Sequence, residues 1–271
     1  MKLYSIILLF ILTISCQRPE KKEEPPKPKT FALTEERERN PFGSVLVAQR
    51  TKDTFVENVG QVATYRFITR KFPTETRYLL ATQNLGKPLT PYAWYDPDDE
   101  GQLGRQLDLG TLMLDQELFL MFDYCRGEPV EYWLCSSDSK ARLCVELIPY
   151  PIKTEGRDGA SVTLKRLTQN AALLLLEGFD FDPDEQIVVS TQVGNNHTPN
   201  VPITCTYGRF SMLLEPSCPG KSGGVGYVDV VRLGERLSLD FDWGSEATNP
   251  KKRLGNTSKI QQDALIKLPT D

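Results

Sequence analysis

The sequence predicts an all-β fold: one or two tandem antiparallel β-sandwich domains behind an export segment. Three observations carry this. In the stretch 236–243, Leu237, Leu239, Phe241 and Trp243 alternate with Ser238, Asp240 and Asp242, the period-two pattern of a half-buried strand. Turn-forming residues punctuate the chain at roughly ten-residue spacing (Gly127 and Pro129, Gly156 to Gly159, Gln169-Asn170, Gly194 to Asn196), the rhythm of short strands in sandwiches. The second half also echoes the first at an offset of about 95–110 residues, close to one sandwich domain. Tyr78 to Leu80 and Leu174 to Leu176 each precede an acidic loop, an apolar run, a Gly-containing turn and a strand bearing a tryptophan, Trp133 or Trp243.

Composition sets the outer limits. The 271 residues are 39% hydrophobic and 25% charged, which is ordinary for a globular chain and excludes a fibrous or wholly disordered one. With 32 basic and 36 acidic residues the formal charge is −4, so no basic domain points to a nucleic-acid partner. The single histidine, His197, excludes any site that needs two.

Taken in chain order, the first element is an export signal. Met1-Lys2 gives a positive start, Leu3 to Ile14 is almost entirely apolar, and Ser15-Cys16 follows. The apolar stretch is shorter than the roughly 20 residues a membrane span requires and fits a signal-peptide core. Cys16 placed directly after it resembles the lipobox of bacterial lipoproteins, with Thr13 standing where that family usually carries leucine. The resemblance implies cleavage after residue 15, acylation of Cys16, and attachment to a bacterial cell-envelope membrane, the outer one in preference to the inner.

Residues 16–40 read as a tether. Gln17 to Lys29 (QRPEKKEEPPKPK) has four prolines and no aliphatic side chain, so it cannot bury a core. Extended at about 3.1 Å per residue it would reach about 40 Å. Without Lys2 the mature chain holds 31 basic and 36 acidic residues, a charge of −5.

Domain 1 is expected over 41–152, with strands at 63–69, 77–82, 118–124, 130–135 and 143–148. Domain 2 is expected over 153–246, with strands at 161–167, 172–176, 186–191, 209–214, 226–232 and 236–243. Each is a run of β-branched, aromatic or aliphatic residues bounded by turn formers. The leucines of 162–177 would also suit a helix capped by Gly178. One larger β domain is the alternative division, and any resemblance to immunoglobulin-like domains is architectural, since their Cys…Trp…Cys spacing is absent. Residues 247–271, with Lys251-Lys252-Arg253, read as a flexible C-terminal tail.

Five further cysteines lack any Cys-x-x-Cys pair and so match no zinc pattern. In an oxidising envelope disulfides are the default. A turn centred near Ser139-Lys140 would set Cys135 opposite Cys144; Cys205–Cys218 is the next pair, leaving Cys125. The alternative is five buried thiols packing as small apolar groups.

Three clusters have catalytic or ligand-binding chemistry in outline. Gly220-Lys221-Ser222-Gly223-Gly224 satisfies G-x-S-x-G, and a nucleophilic Ser222 would need His197 as base, yet Lys221 and the serine–histidine order depart from the hydrolase families; a glycine-rich turn explains the segment. Asp180, Asp182 and Asp184 alternate as calcium-binding carboxylates do, but Glu185 and Thr191 stand where an EF-hand needs glycine and glutamate. Tyr92, Trp94 and Tyr95 could display an aromatic patch to a partner or glycan, with at least one ring in the core. The expectation is a lipid-anchored cell-envelope binding or structural interaction module, with no cofactor, no resident metal and an envelope protein or glycan as partner. The alternatives are an envelope serine hydrolase using Ser222 and a calcium-dependent adhesin or assembly factor.

Overall fold

A computed structural model of the chain describes residues 40–254, Asn58 excepted. The signal, Cys16 and the tether up to residue 39 lie outside the described residues, as does the tail beyond Leu254. Among the described residues the structure is all-β and antiparallel, with one short 3-10 turn at Pro250–Lys252.

The first sandwich holds β1 (Val45–Arg50), β2 (Thr54–Val56), β3 (Gly60–Arg70), β4 (Tyr78–Asn84), β5 (Thr90–Pro97), β6 (Leu103–Leu107), β7 (Gly110–Met113), β8 (Phe119–Met121), β9 (Val130–Ser136) and β10 (Arg142–Leu147). The long β3 pairs with β1, β2 and β8 in a four-stranded sheet; the facing sheet has six strands in the order β10-β9-β4-β5-β6-β7. Their inner faces meet in one core, where Phe67 from β3, Tyr78 and Leu80 from β4, Phe119 from β8 and Leu134 from β9 are buried together. Phe67 packs against Phe119 and Tyr132 with ring centroids 4.8 and 4.7 Å apart, the offset geometry aromatic pairs prefer.

The second sandwich holds β11 (Ile152–Glu155), β12 (Ser161–Arg166), β13 (Leu174–Phe179), β14 (Gln186–Val193), β15 (Asn196–His197), β16 (Val201–Thr204), β17 (Phe210–Leu214), β18 (Gly223–Arg232) and β19 (Glu235–Gly244). One sheet runs β11-β12-β13-β17 and the other β15-β14-β18-β19, with β16 also on β14. Their core takes Leu164, Leu176, Val189, Val230 and Phe241 from alternate positions. The hydrophobic clusters of the two sandwiches divide between Tyr150 and Ile152.

The ambiguous stretch 162–177 is a hairpin, not a helix. Ala171 takes a positive φ of 51° in the turn, and Gly178 lies inside β13 opposite Val162. A Cβ at Gly178 would collide with the Phe210 ring, so glycine is set there by aromatic packing across the strand and not by a helix cap.

Two expectations are corrected. Neither proposed disulfide forms. The β9–β10 turn is centred one residue earlier than expected, because the Ser136 hydroxyl accepts from the Ala141 N–H and the Asp138 carboxylate accepts from the Lys140 N–H, with Ser139 at a φ of 63°. That slips the register by two: Cys135 faces Arg142 and Cys144 faces Trp133, a diagonal of about 7–8 Å, beyond disulfide reach. Cys205 and Cys218 stand on either side of β17, whose five residues at about 3.4 Å each keep them far apart. The tail does not begin at residue 247 either. Ala247 is buried, and its carbonyl accepts from the Arg166 guanidinium and the Cys125 thiol. Leu254 bridges Tyr124, and Arg253 binds the Asp123 carboxylate at 2.9 Å, so 245–254 is a strap from β19 back to the first sandwich.

Candidate functional site

The site grows from strand β5. Its sequence, TPYAWYDP, pairs with β4 through a register shift between Leu80 and Ala81: Ala93 faces Leu80 but Pro91 faces Ala81. Tyr92 is the extra residue. A bulge re-aims its side chain, and proline is tolerated at such a position because no ladder N–H is lost. Both Tyr92 and Tyr95 therefore reach the inner side of the six-stranded sheet, while Trp94 and Asp96 point outward.

On the inner side β5 and β6 pair only at Asp96–Gly104 and Pro97–Leu103. The space beyond is filled by charge. Glu117, 8% exposed, accepts from Tyr95 Oη at 2.5 Å, Tyr92 Oη at 2.9 Å and Arg105 Nη2 at 2.7 Å. The Arg105 guanidinium also lies 5.8 Å from both tyrosine ring centres. Burial, followed by the hydrogen bond to Glu117, pushes the Tyr95 phenol far up; burial and the charge of Glu117 also raise Tyr92. Both phenols thus stay protonated donors. Removing Arg105 would leave buried Glu117 without its counter-charge, so the cluster ties β5 to β6 through Glu117.

On the outer side, register places residues in rows. One runs Trp94, Leu79, Cys135, Arg142; the next runs Pro91, Ala81, Trp133, Cys144. The second row is closed beyond Pro91: Ala81 and Trp133 are 1% and 3% exposed. Two bonds from the second sandwich flank that end, Lys165 to Glu146 at 3.0 Å and Gln169 to the Leu85 carbonyl at 2.7 Å. The first row stays open at β5, where Trp94 is 42% exposed. The Arg77 guanidinium lies over one face of its ring, 5.8 Å from the centroid, and forks onto Asp96, Nε to Oδ1 at 2.7 Å and Nη2 to Oδ2 at 3.2 Å.

The other sequence-singled residues do not assemble. Ser222 Oγ meets Ser245 Oγ at 3.4 Å, and among the described residues no hydrogen bond joins it to His197, which lies exposed on β15 opposite Gln192. His197 instead rims a groove of about 400 Å³ floored by Val193, Met212 and Phe241, between the edges of the second sandwich's two sheets. Asp180 and Asp184 are turn residues with φ of 60° and 62°, and Glu185, next in chain, is turned inward to Arg232. Among the described residues no three metal-ligating side chains converge, at Asp180, Asp182 and Asp184 or elsewhere. Of the aromatic trio, Tyr95 is core and Tyr92 and Trp94 are half-exposed. Sequence reasoning missed Arg77, Arg105 and Glu117. They lie 19, 12 and 22–25 residues from the groups they bind, separations that carry no local periodic signal.

No protein-family model and no curated protein matches the chain. Among solved structures, one described as a crystal structure of a tetra-tandem repeat in the extending region of a large adhesion protein is similar at 15% identity and a TM-score of 0.24, over 74% of this chain and 49% of that one. The chain thus spans about half the length of that structure.

Proposed function

We propose that this chain is a lipid-anchored cell-envelope interaction module, tethered through Cys16, whose binding surface is strand β5 and its flanks. The observation that supports it is a half-exposed tryptophan on the outer side and a half-exposed tyrosine on the inner side of one strand, each beside an arginine that is forked or bonded to a carboxylate. Aromatic rings beside arginines are the side chains that dominate binding surfaces. The Glu117 cluster costs desolvation that folding alone does not require, and it fixes the strand in place, which lowers the entropy lost on binding.

Two measurements test the two halves of this reading. Cys16→Ala should move the protein out of the membrane fraction; continued partition would overturn the anchor. In-cell photo-cross-linking from position 92 should capture an envelope component that the same probe at exposed Leu233, on the second sandwich, does not. Equal capture from both positions, or from neither, would remove β5 as the binding surface.

A further inference from the structure

We infer that the open outer face of β5 binds a neutral carbohydrate, with the sugar ring stacked on Trp94 and its hydroxyls bonded to the Arg77–Asp96 fork. This rests on the interaction-module reading and names its ligand.

The size of the patch argues first. Within its two rows Ala81, Trp133 and Cys135 are 1%, 3% and 4% exposed and separate half-buried Arg142 and Cys144 at the far edge from exposed Trp94 and Pro91 and half-buried Leu79 at β5. Two exposed side chains at a strand edge offer a platform of the width of one or two sugar rings, where a protein partner typically engages about 20–30 residues on each side. Charge argues second. Arg77 and Asp96 neutralise one another, so neither an anion nor a cation gains from the pair. A hydroxyl both donates and accepts, and the fork offers both: it uses Nε and Nη2 and leaves Nη1 as donor, while the carboxylate keeps lone pairs. The side chains of Arg77 and Asp96 are 59% and 53% exposed, where an ion pair adds little to folding. The ring argues third. A saccharide presents C–H groups on one face and hydroxyls around its rim, matching the indole face that Arg77 leaves open, with the polar fork beside it. The Glu117 cluster beneath holds β5 still and makes no contact with the ligand in this arrangement.

The chain has three tryptophans, and Trp133 and Trp243 are 3% and 5% exposed, so iodide quenching reads Trp94. The full chain is titrated with β1,4-linked tetramers of glucose and of N-acetylglucosamine and with the α1,4-linked glucose tetramer. At least one should shield Trp94 from iodide. By calorimetry Trp94→Ala should then weaken binding about tenfold or more, Trp94→Phe should recover part of it, and Arg77→Met should weaken it severalfold. Unchanged emission from Trp133 and Trp243 in Trp94→Ala certifies that the variant is folded. No shielding by any tetramer up to millimolar concentration would overturn the inference, as would binding indifferent to Trp94→Ala. If a polypeptide is then captured from position 92, the interaction-module reading survives; if nothing is captured, both fail.

Discussion

At the scale of single residues, the strongest constraint outside β5 is Arg232. It occupies an inner-face position of β18, two residues beyond Val230, where the pattern calls for an apolar side chain. It is 3% exposed, forks onto Glu185 at 2.7 and 2.8 Å, meets both Asp158 oxygens at 2.8 and 2.7 Å, and lies 4.9 Å over the Phe181 ring. This triad closes the end of the second core. Arg232→Met should cost about 3–5 kcal/mol in urea denaturation, because Glu185 is then buried without a counter-charge, with only the Asp182 N–H left to bond it. The pH profile identifies the cause. Arg232 holds the Asp158 carboxyl below its usual range, so its contribution is complete above the ordinary carboxylate pKa and fades as acid approaches the lowered value. In the variant that part of the acid-side loss should vanish. A variant as stable as wild type would show that packing on Phe181, not charge, seals this end. None of this is legible in the sequence: the Asp180–Glu185 run carries only the outline of calcium ligands, and the fold reveals that Glu185 turns inward.

At the scale of elements, legibility followed periodicity. β18 and β19 are plain because their alternating residues match one buried and one more exposed face, and β9 because its apolar run is buried on both. β5 was hidden by its two prolines and its bulge, which break the period in the strand that carries the site. β6 and β7 are short, and β15 and β16 are split by Thr198 to Asn200, where the Thr198 hydroxyl bonds Thr191 in place of the ladder. The sequence of β13 reads as a strand, and its glycine is open to a second reading as a helix cap. Its role can be measured. Gly178→Ala should destabilise by about 1–3 kcal/mol, since the new methyl must displace the Phe210 ring from its packing 5.4 Å from Phe181. Pairing it with Phe210→Leu should recover part of that loss. A neutral Gly178→Ala would mean the ring has room to move.

At the scale of the whole molecule, two cores do not guarantee two independent bodies. The junction is buried and directional. The Gly127 carbonyl accepts from the Arg166 N–H, its own N–H donates to the Tyr150 carbonyl, and a Cβ there would press at 3.0 Å on both Ile152 and the Leu164 carbonyl. The strap adds Arg166 and Cys125 on the Ala247 carbonyl and Arg253 on Asp123. Surface pairs such as Arg126–Asp240 contribute little beside these, because water screens them. The consequence is cooperative unfolding: calorimetry should show one transition whose calorimetric and van't Hoff enthalpies agree. Gly127→Ala forces a side chain into a φ of 71° and into Ile152, and Arg253→Ala unpins the strap. Together they should split the melt into two transitions while each sandwich keeps its own core. Two transitions in the wild type would show that the junction is contact without coupling, and that the first sandwich presents β5 independently of the second.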